Sequence, residues 1–196
     1  MMSKLVYGVG WNDGKYLVFT EGGKTACYRV WGGMLERSYS PKIQEKQPTY
    51  NGCSVSENFK SYTYFHEWCL KQIGFGVKGF QLDKDLLVRG NKVYSESNCV
   101  FLPQEINKLL TKREACRGGL PIGVSLRPQW NRFSAQGTFG DFHKKHLGFF
   151  NSAQEAFIRY KQVKEAYIKF KAEQWKEFID PRAYAALIAY EVLIAD

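Results

Sequence analysis

From Ala156 to Phe170 one face of this chain is apolar at helical spacing. Ala156, Tyr160, Val163, Tyr167 and Phe170 recur at intervals of 4, 3, 4 and 3 residues, which places them on one stripe of an α-helix. Ser152-Ala153-Gln154-Glu155 opens the stretch as a capping box, in which the hydroxyl and the carboxylate each satisfy a backbone N–H of the first turn. A helix with one apolar face gains most of its stability from a surface to cover. The preceding residues supply one. Gly123 to Leu126, Arg132 to Gln136 and Lys145 to Phe149 read as three short strands, with Pro128, Asn131, Gly140 and Asp141 in the linkers. The predicted unit is a three-stranded antiparallel sheet packed on a long helix. Asp180-Pro181 starts a last helix, apolar over Ala183 to Ile194.

Upstream, Arg117-Gly118-Gly119-Leu120-Pro121 breaks helix and strand alike. It divides the chain into residues 1–118 and 119–196. The first part is mixed. Val6 to Gly14 reads as a strand closed by the Asn12-Asp13-Gly14 turn. Tyr28 to Arg37 reads as a short helix ended by Ser40-Pro41. Phe59 to Ile73 reads as a longer helix, with Phe59, Tyr62, Phe65, His66 and Cys69 on its apolar side and Gly74 and Gly76 stopping it. Phe80 to Leu87, the Gly90-Asn91 turn, Lys92 to Tyr94 and a helix from Pro103 to Thr111 then spell strand, turn, strand, helix. Trp11, Tyr28, Trp31, Tyr62, Phe65 and Trp68 are read as core. The fold class is α+β.

The chain of 196 residues carries 28 Lys and Arg against 19 Asp and Glu, a net charge of +9. Both parts are basic, which favours an anionic partner, nucleic acid first. No apolar run reaches the roughly 18 residues of a membrane span. Met1-Met2-Ser3-Lys4-Leu5-Val6-Tyr7 holds no signal-peptide core. The expectation is a cytoplasmic protein with no membrane partner. Cys27, Cys53, Cys69, Cys99 and Cys116 include no C-x-x-C pair, and the His143-x-x-His146 pair has no second ligand pair. This argues against zinc and against a disulfide framework.

Asp83, Asp85 and Asn98 fall around the strand–turn–strand–helix segment. Oxygen ligands of this kind suit Mg²⁺, which could polarise a phosphodiester. The competing reading is a solvated strand end with Asn98 as a cap. In the second part, Arg132, Ser134 and Gln136 are spaced by two and share one strand face. With Arg127, Trp130 and Lys144 they form a candidate DNA-reading surface, since Arg can bond guanine bidentately and Gln can bond adenine. Arg159, Lys161 and Lys164 on the long helix are read as solvated surface.

Leu82-Asp83-Lys84-Asp85 with Tyr94-Ser95-Glu96-Ser97-Asn98-Cys99 and Asn107 resembles the HNH endonuclease module of phage and homing endonucleases. Trp31-Gly32-Gly33-Met34-Leu35-Glu36-Arg37-Ser38-Tyr39-Ser40 and Pro48-Thr49-Tyr50-Asn51-Gly52-Cys53-Ser54-Val55 resemble segments that precede that module in phage proteins. Gly123-Val124-Ser125, Arg132-Phe133-Ser134-Ala135 and Leu147-Gly148-Phe149-Phe150-Asn151-Ser152-Ala153-Gln154-Glu155-Ala156 resemble the APETALA-type DNA-binding domain. The resemblance implies an HNH-like domain over 1–118, with its ββα-metal module near 80–111, and an APETALA-like domain over 119–196.

It implies double-stranded DNA as partner, Mg²⁺ or Mn²⁺ as the cofactor of any cleavage, Asp83 and Asn98 as metal ligands, and Lys84 and Asp85 as catalytic positions. Lys84 stands where the family carries its His base. A protonated Lys is a phosphate clamp rather than a base. The alternatives for a base are His66 and Tyr94. The competing function is an inactive HNH-derived factor, a phage regulator or an inhibitor of a host system, with a host protein as partner. Oligomeric state is left open.

Overall fold

The computed structural model describes residues 5–111, 119–139, 144–194 and 196. The predicted cut near Gly118, together with Cys116, Gly140, Asp141 and His143, lies outside them. The chain divides into two compact units. One runs to Gln104 and takes in Phe178–Ala183; the other holds Glu105–Glu177 and Tyr184–Asp196. The architecture is mixed α+β, with small sheets and one three-stranded antiparallel sheet. Among the described residues no helix is long and apolar enough to cross a membrane.

In the first unit a two-residue ribbon, β1 (Phe19–Thr20) with β2 (Gly23–Lys24), leads into α1 (Ala26–Tyr39). Thr25 caps α1 by accepting the Tyr28 N–H. Cys27, Trp31, Met34, Leu35 and Ser38 are buried along one side of it, and the Trp31 indole donates to the Phe59 carbonyl at 2.8 Å. Pro41 ends α1 and starts α2 (Pro41–Lys46), followed by a 3₁₀ turn at Pro48–Tyr50 and by β3 (Ser54–Val55).

Three expectations need correction here. Val6 to Gly14 forms no strand, only isolated bridges of Val6 with Gly10 and of Trp11 with Ser61, although the turn is present, with Gly14 at φ +84°. The helix expected from Phe59 is split into α3 (Glu57–Lys60) and α4 (Tyr62–Cys69). The split has a cause: Trp11 accepts the Tyr62 N–H and donates to the Lys60 carbonyl, and the Ser61 hydroxyl caps the new helix. Trp11 is accordingly exposed at 40% rather than core. Tyr28, Trp31, Tyr62, Phe65 and Trp68 do belong to the aromatic core.

The third correction concerns the candidate site. The first strand, β4, stops at Asp83 (Phe80–Asp83). Its partner is not the expected Lys92–Tyr94 segment. That segment, β5 (Val93–Tyr94), pairs in parallel with β3. The antiparallel partner of β4 is β6 (Val100–Pro103), with Val100 opposite Asp83. Asp83 turns the chain out of the ladder by accepting the N–H groups of Asp85 and Leu86 at 3.0 and 2.8 Å. Helix α5 (Gln104–Leu110) follows directly.

The second unit follows the expectation closely. Strands β7 (Val124–Arg127), β8 (Arg132–Thr138) and β9 (Lys144–Phe150) pair in order, and α6 (Ala153–Trp175) covers one face. The Ser152 hydroxyl accepts the Glu155 N–H, while Glu155 reaches back to the Asn151 N–H. Ala156, Phe157 and Tyr160 are buried, and Val163 and Tyr167 pack at the margin of the core. Phe170 departs from the predicted stripe and is 53% exposed. Helix α7 (Pro181–Ile188) begins at the predicted proline but ends at Ile188.

Lys164 is not solvated surface. Its ammonium donates to the Leu109 carbonyl at the end of α5, and burial lowers its pKa to about 8 from 10.5. The unfolded chain therefore binds more protons between those values, so this group makes stability rise with pH across that window. Lys164→Met removes the desolvation cost and is expected to stabilise the protein at pH 7 by on the order of 1–3 kcal/mol. The advantage over the natural chain shrinks from pH 8 towards 10.5, as urea unfolding at each pH would show. A pH-independent difference between the two proteins would refute it.

Candidate functional site

The loop between β4 and β6 ties itself together. Lys84 is 4% exposed. Its ammonium pairs with the Asp85 carboxylate, donates to the Asn91 carbonyl at 3.1 Å and lies 5.6 Å from the centre of the Tyr94 ring. Asn91 returns the bond, its amide donating to the Lys84 and Val93 carbonyls at 2.7 and 2.8 Å. The Asn91 side-chain oxygen accepts the Val93 N–H and the Asn98 amide at 3.0 and 3.1 Å. The Asn98 oxygen accepts the Ser97 hydroxyl at 3.1 Å. The structure thus places Asp83, Lys84, Asp85 and Asn98 on one loop, with Asn91 as the hub that sequence reasoning passed over as a turn residue.

A divalent cation suits this loop poorly. One Asp83 oxygen already serves two backbone N–H groups. Burial pushes the Asp83 carboxyl upward, towards the protonated form, with Asp85 adding to the shift. A buried ammonium follows it in the chain, and the Asn98 oxygen is committed to Ser97. Burial likewise raises the adjacent Cys99 thiol to about 12, so it offers no thiolate. Among the described residues no three His, Cys, Asp or Glu side chains gather as a metal site. Neither alternative base is placed for the task. His66 stacks on Tyr16 at 3.9 Å in the aromatic core. The Tyr94 hydroxyl accepts the Arg37 Nε–H at 3.1 Å, and burial first of all raises its pKa.

The open face of the three-stranded sheet is chemically different. Register puts Arg127 directly opposite Arg132, Ser125 opposite Ser134, and Ser134 opposite Phe149. Paired residues project to the same side. Gln136 pairs with His146 and Thr138 with Lys144. Between those pairs the register slips at Ala135/Gln136, and Gly148 takes φ +131°. A bulge re-aims the residues beyond it. Phe149 and His146, three apart, consequently share the open face, with rings 4.5 Å apart. Trp130, in the 3₁₀ turn Pro128–Trp130, meets Phe149 edge to face at 5.0 Å. Arg132 is exposed and donates to the Asn151 side chain at 3.1 Å. Trp130 and Phe149 are 57% and 40% exposed.

Ser134 is the exception among the predicted contacts: it is fully buried and hydrogen-bonded to the His146 ring. Gln136 is half-buried and donates to the Ser125 hydroxyl at 2.8 Å. The predicted surface residues Arg127, Arg132 and Trp130 therefore gather at one end of the open face, while Gln136 lies further along β8 and Lys144, opposite Thr138, stands at its other end.

Comparison with protein-family models, curated proteins and solved structures finds no match to this chain. The likeness to HNH and APETALA modules rests on the motifs themselves.

His146 and Phe149 were missed because strict alternation assigns them to opposite faces. The available signal was Gly148 inside a strand, which marks a bulge. On α6, Arg159 is exposed, as expected of solvated surface, whereas Lys161 is half-buried, paired with Glu165 and Glu191 and donating to the Val192 carbonyl at 2.9 Å.

Proposed function

We propose that this protein binds double-stranded DNA through the open face of its three-stranded sheet, and that the Asp83–Asn98 loop is a structural staple on an HNH-like scaffold, not a metal-dependent nuclease centre. The observation that carries the first half is the open face itself, with the Arg127–Arg132 pair, Trp130 and Phe149 at one end and the exposed Lys144 at the other. A narrow β-sheet can enter the major groove, where arginine has its bidentate partner in guanine. The net charge of +9 supplies the long-range attraction. The second half is supported by Lys84, whose internal bonds replace those a cation would make. A cleavage reading keeps one argument, the order β4, loop, β6, α5 over residues 80–110.

One pair of assays decides. The natural chain is expected to retard a DNA duplex, with log affinity falling linearly as log salt rises. Supercoiled plasmid with Mg²⁺ or Mn²⁺ is expected to stay supercoiled, with the natural chain and with Asp83→Ala/Asn98→Ala alike. Absence of salt-dependent retardation would overturn the DNA reading and leave a protein partner as the alternative. Metal-dependent nicking that disappears in the double variant would overturn the staple.

A further inference from the structure

Arg37 presents a problem that the sheet does not answer. It projects from α1 into a partly buried position between two tyrosines, its guanidinium carbon 5.8 Å from the Tyr50 ring centre and 5.7 Å from that of Tyr94. Its Nε–H donates to the Tyr94 hydroxyl at 3.1 Å. No carboxylate pairs with it and neither terminal nitrogen has a protein partner among the described residues. Those nitrogens are not among the sealed, partnerless polar atoms of the protein, so solvent still reaches them.

The neighbouring carboxylate in the chain, Glu36, takes the Tyr7 hydroxyl and acts on Arg37 through space without forming an ion pair with it. More positive charge stands close by. Lys84 lies against the same Tyr94 ring, and Lys92 is anchored on the carbonyl of Thr49, the residue beside Tyr50. Among the described residues Lys92 has no carboxylate partner either, while Lys84 is matched by the exposed Asp85.

A guanidinium taken out of bulk water without a carboxylate is a cost that an incoming anion offsets. Two aromatic walls and one hydroxyl hold the guanidinium in place, leaving its two terminal nitrogens as a pre-set fork. Such a fork matches a tetrahedral oxyanion through two parallel hydrogen bonds. We infer that Arg37, framed by Tyr50 and Tyr94, is a phosphate-binding site that takes the phosphate of a nucleic-acid backbone or of a small phosphate ester. It stands on residues distinct from the sheet face and does not depend on the sheet reading.

The test follows the Arg37 Nε–H resonance of the full chain by nuclear magnetic resonance, assigned by its disappearance in Arg37→Lys. The expected result is a saturable movement on titration with sodium phosphate, and none with sodium chloride of equal ionic strength. Phosphate affinity measured by calorimetry should fall about tenfold in Arg37→Lys, which keeps the charge but loses the fork, and more in Arg37→Gln. Tyr94→Phe keeps the ring and removes the hydroxyl that aims the guanidinium. It should weaken binding while leaving the circular-dichroism spectrum unchanged, so a folding defect is separable from a binding one.

Repeating the titration in Arg127→Ala/Arg132→Ala identifies the source. Movement with a short DNA duplex as well as with phosphate assigns a nucleic-acid backbone. Movement with phosphate alone assigns a small ester. A resonance indifferent to both, or one that drifts identically with chloride, overturns the site whatever the sheet does.

Discussion

Replacing Arg127 and Arg132 together by alanine should make the protein bind duplex DNA far more weakly while making its fold slightly more stable. The opposed signs come from one geometric fact. The two residues are direct cross-strand partners on β7 and β8, and like charges directly opposite each other destabilise a sheet. Arg132 recovers part of that by donating to Asn151. An anion lying across the pair would remove the repulsion and gain from both. If each arginine contributes as a bidentate base-reading residue usually does, removing both lowers affinity by on the order of 100-fold or more. The salt slope reports what each arginine touches. Removing one that holds a phosphate reduces the slope by about one unit, whereas removing one that reads a base relaxes sequence preference. Fluorescence anisotropy across a salt series, with urea unfolding of the same samples, reads both effects. Unchanged affinity in a folded variant would remove the sheet as the DNA surface. Stability is sacrificed at a binding face elsewhere among proteins, so the pairing of the two signs is diagnostic where either alone is not.

The sheet–helix unit was legible because its signals are local. Alternating polar and apolar residues mark β8, and Ser152 with Glu155 opens α6 before a stripe that only a helix aligns. The first unit was harder, for reasons that sit in long-range contacts. Nothing near Ser61 announces that Trp11, fifty residues earlier, will bond across it and split a helix. Nothing in Lys92–Tyr94 announces that β3 will claim it as a parallel partner. The candidate loop lay between these cases. Asp83, Lys84 and Asn98 were found as a group because they cluster in sequence, but their roles turned on Asn91, which reads as an ordinary turn residue until its side chain is seen bonding Lys84, Val93 and Asn98. Lys164 is the reverse case: a lysine on a basic helix reads as solvated, and only the position of the Leu109 carbonyl shows otherwise.

The Gly123→Ala substitution should be the most damaging single methyl group added to the second unit. Gly123 stands just before β7 at φ +77°, a conformation that costs an L-residue roughly 1–2 kcal/mol. Space is the larger obstacle. A Cβ there would lie 2.1 Å from Cδ2 and 2.3 Å from Cγ of Tyr160. Tyr160 is 5% exposed and packs beside Phe139 under the sheet, so its ring has no open direction in which to yield. The Gly123 carbonyl also accepts the Gln136 N–H at 2.8 Å, so a shift of this backbone breaks a bond to β8. Overpacking of this kind adds about 1–3 kcal/mol, and the combined loss is expected near 2–5 kcal/mol in urea unfolding followed by circular dichroism. The two causes separate in a double-variant cycle. Tyr160→Ala should cancel the steric part of Gly123→Ala and leave the backbone part, giving a favourable coupling between the pair. Simple additivity would mean that the ring is not the obstacle. Since β7 carries Arg127 and β8 carries Arg132, Gly123→Ala should also cost DNA affinity with both arginines still in the chain, because the register that sets them opposite each other begins at this glycine.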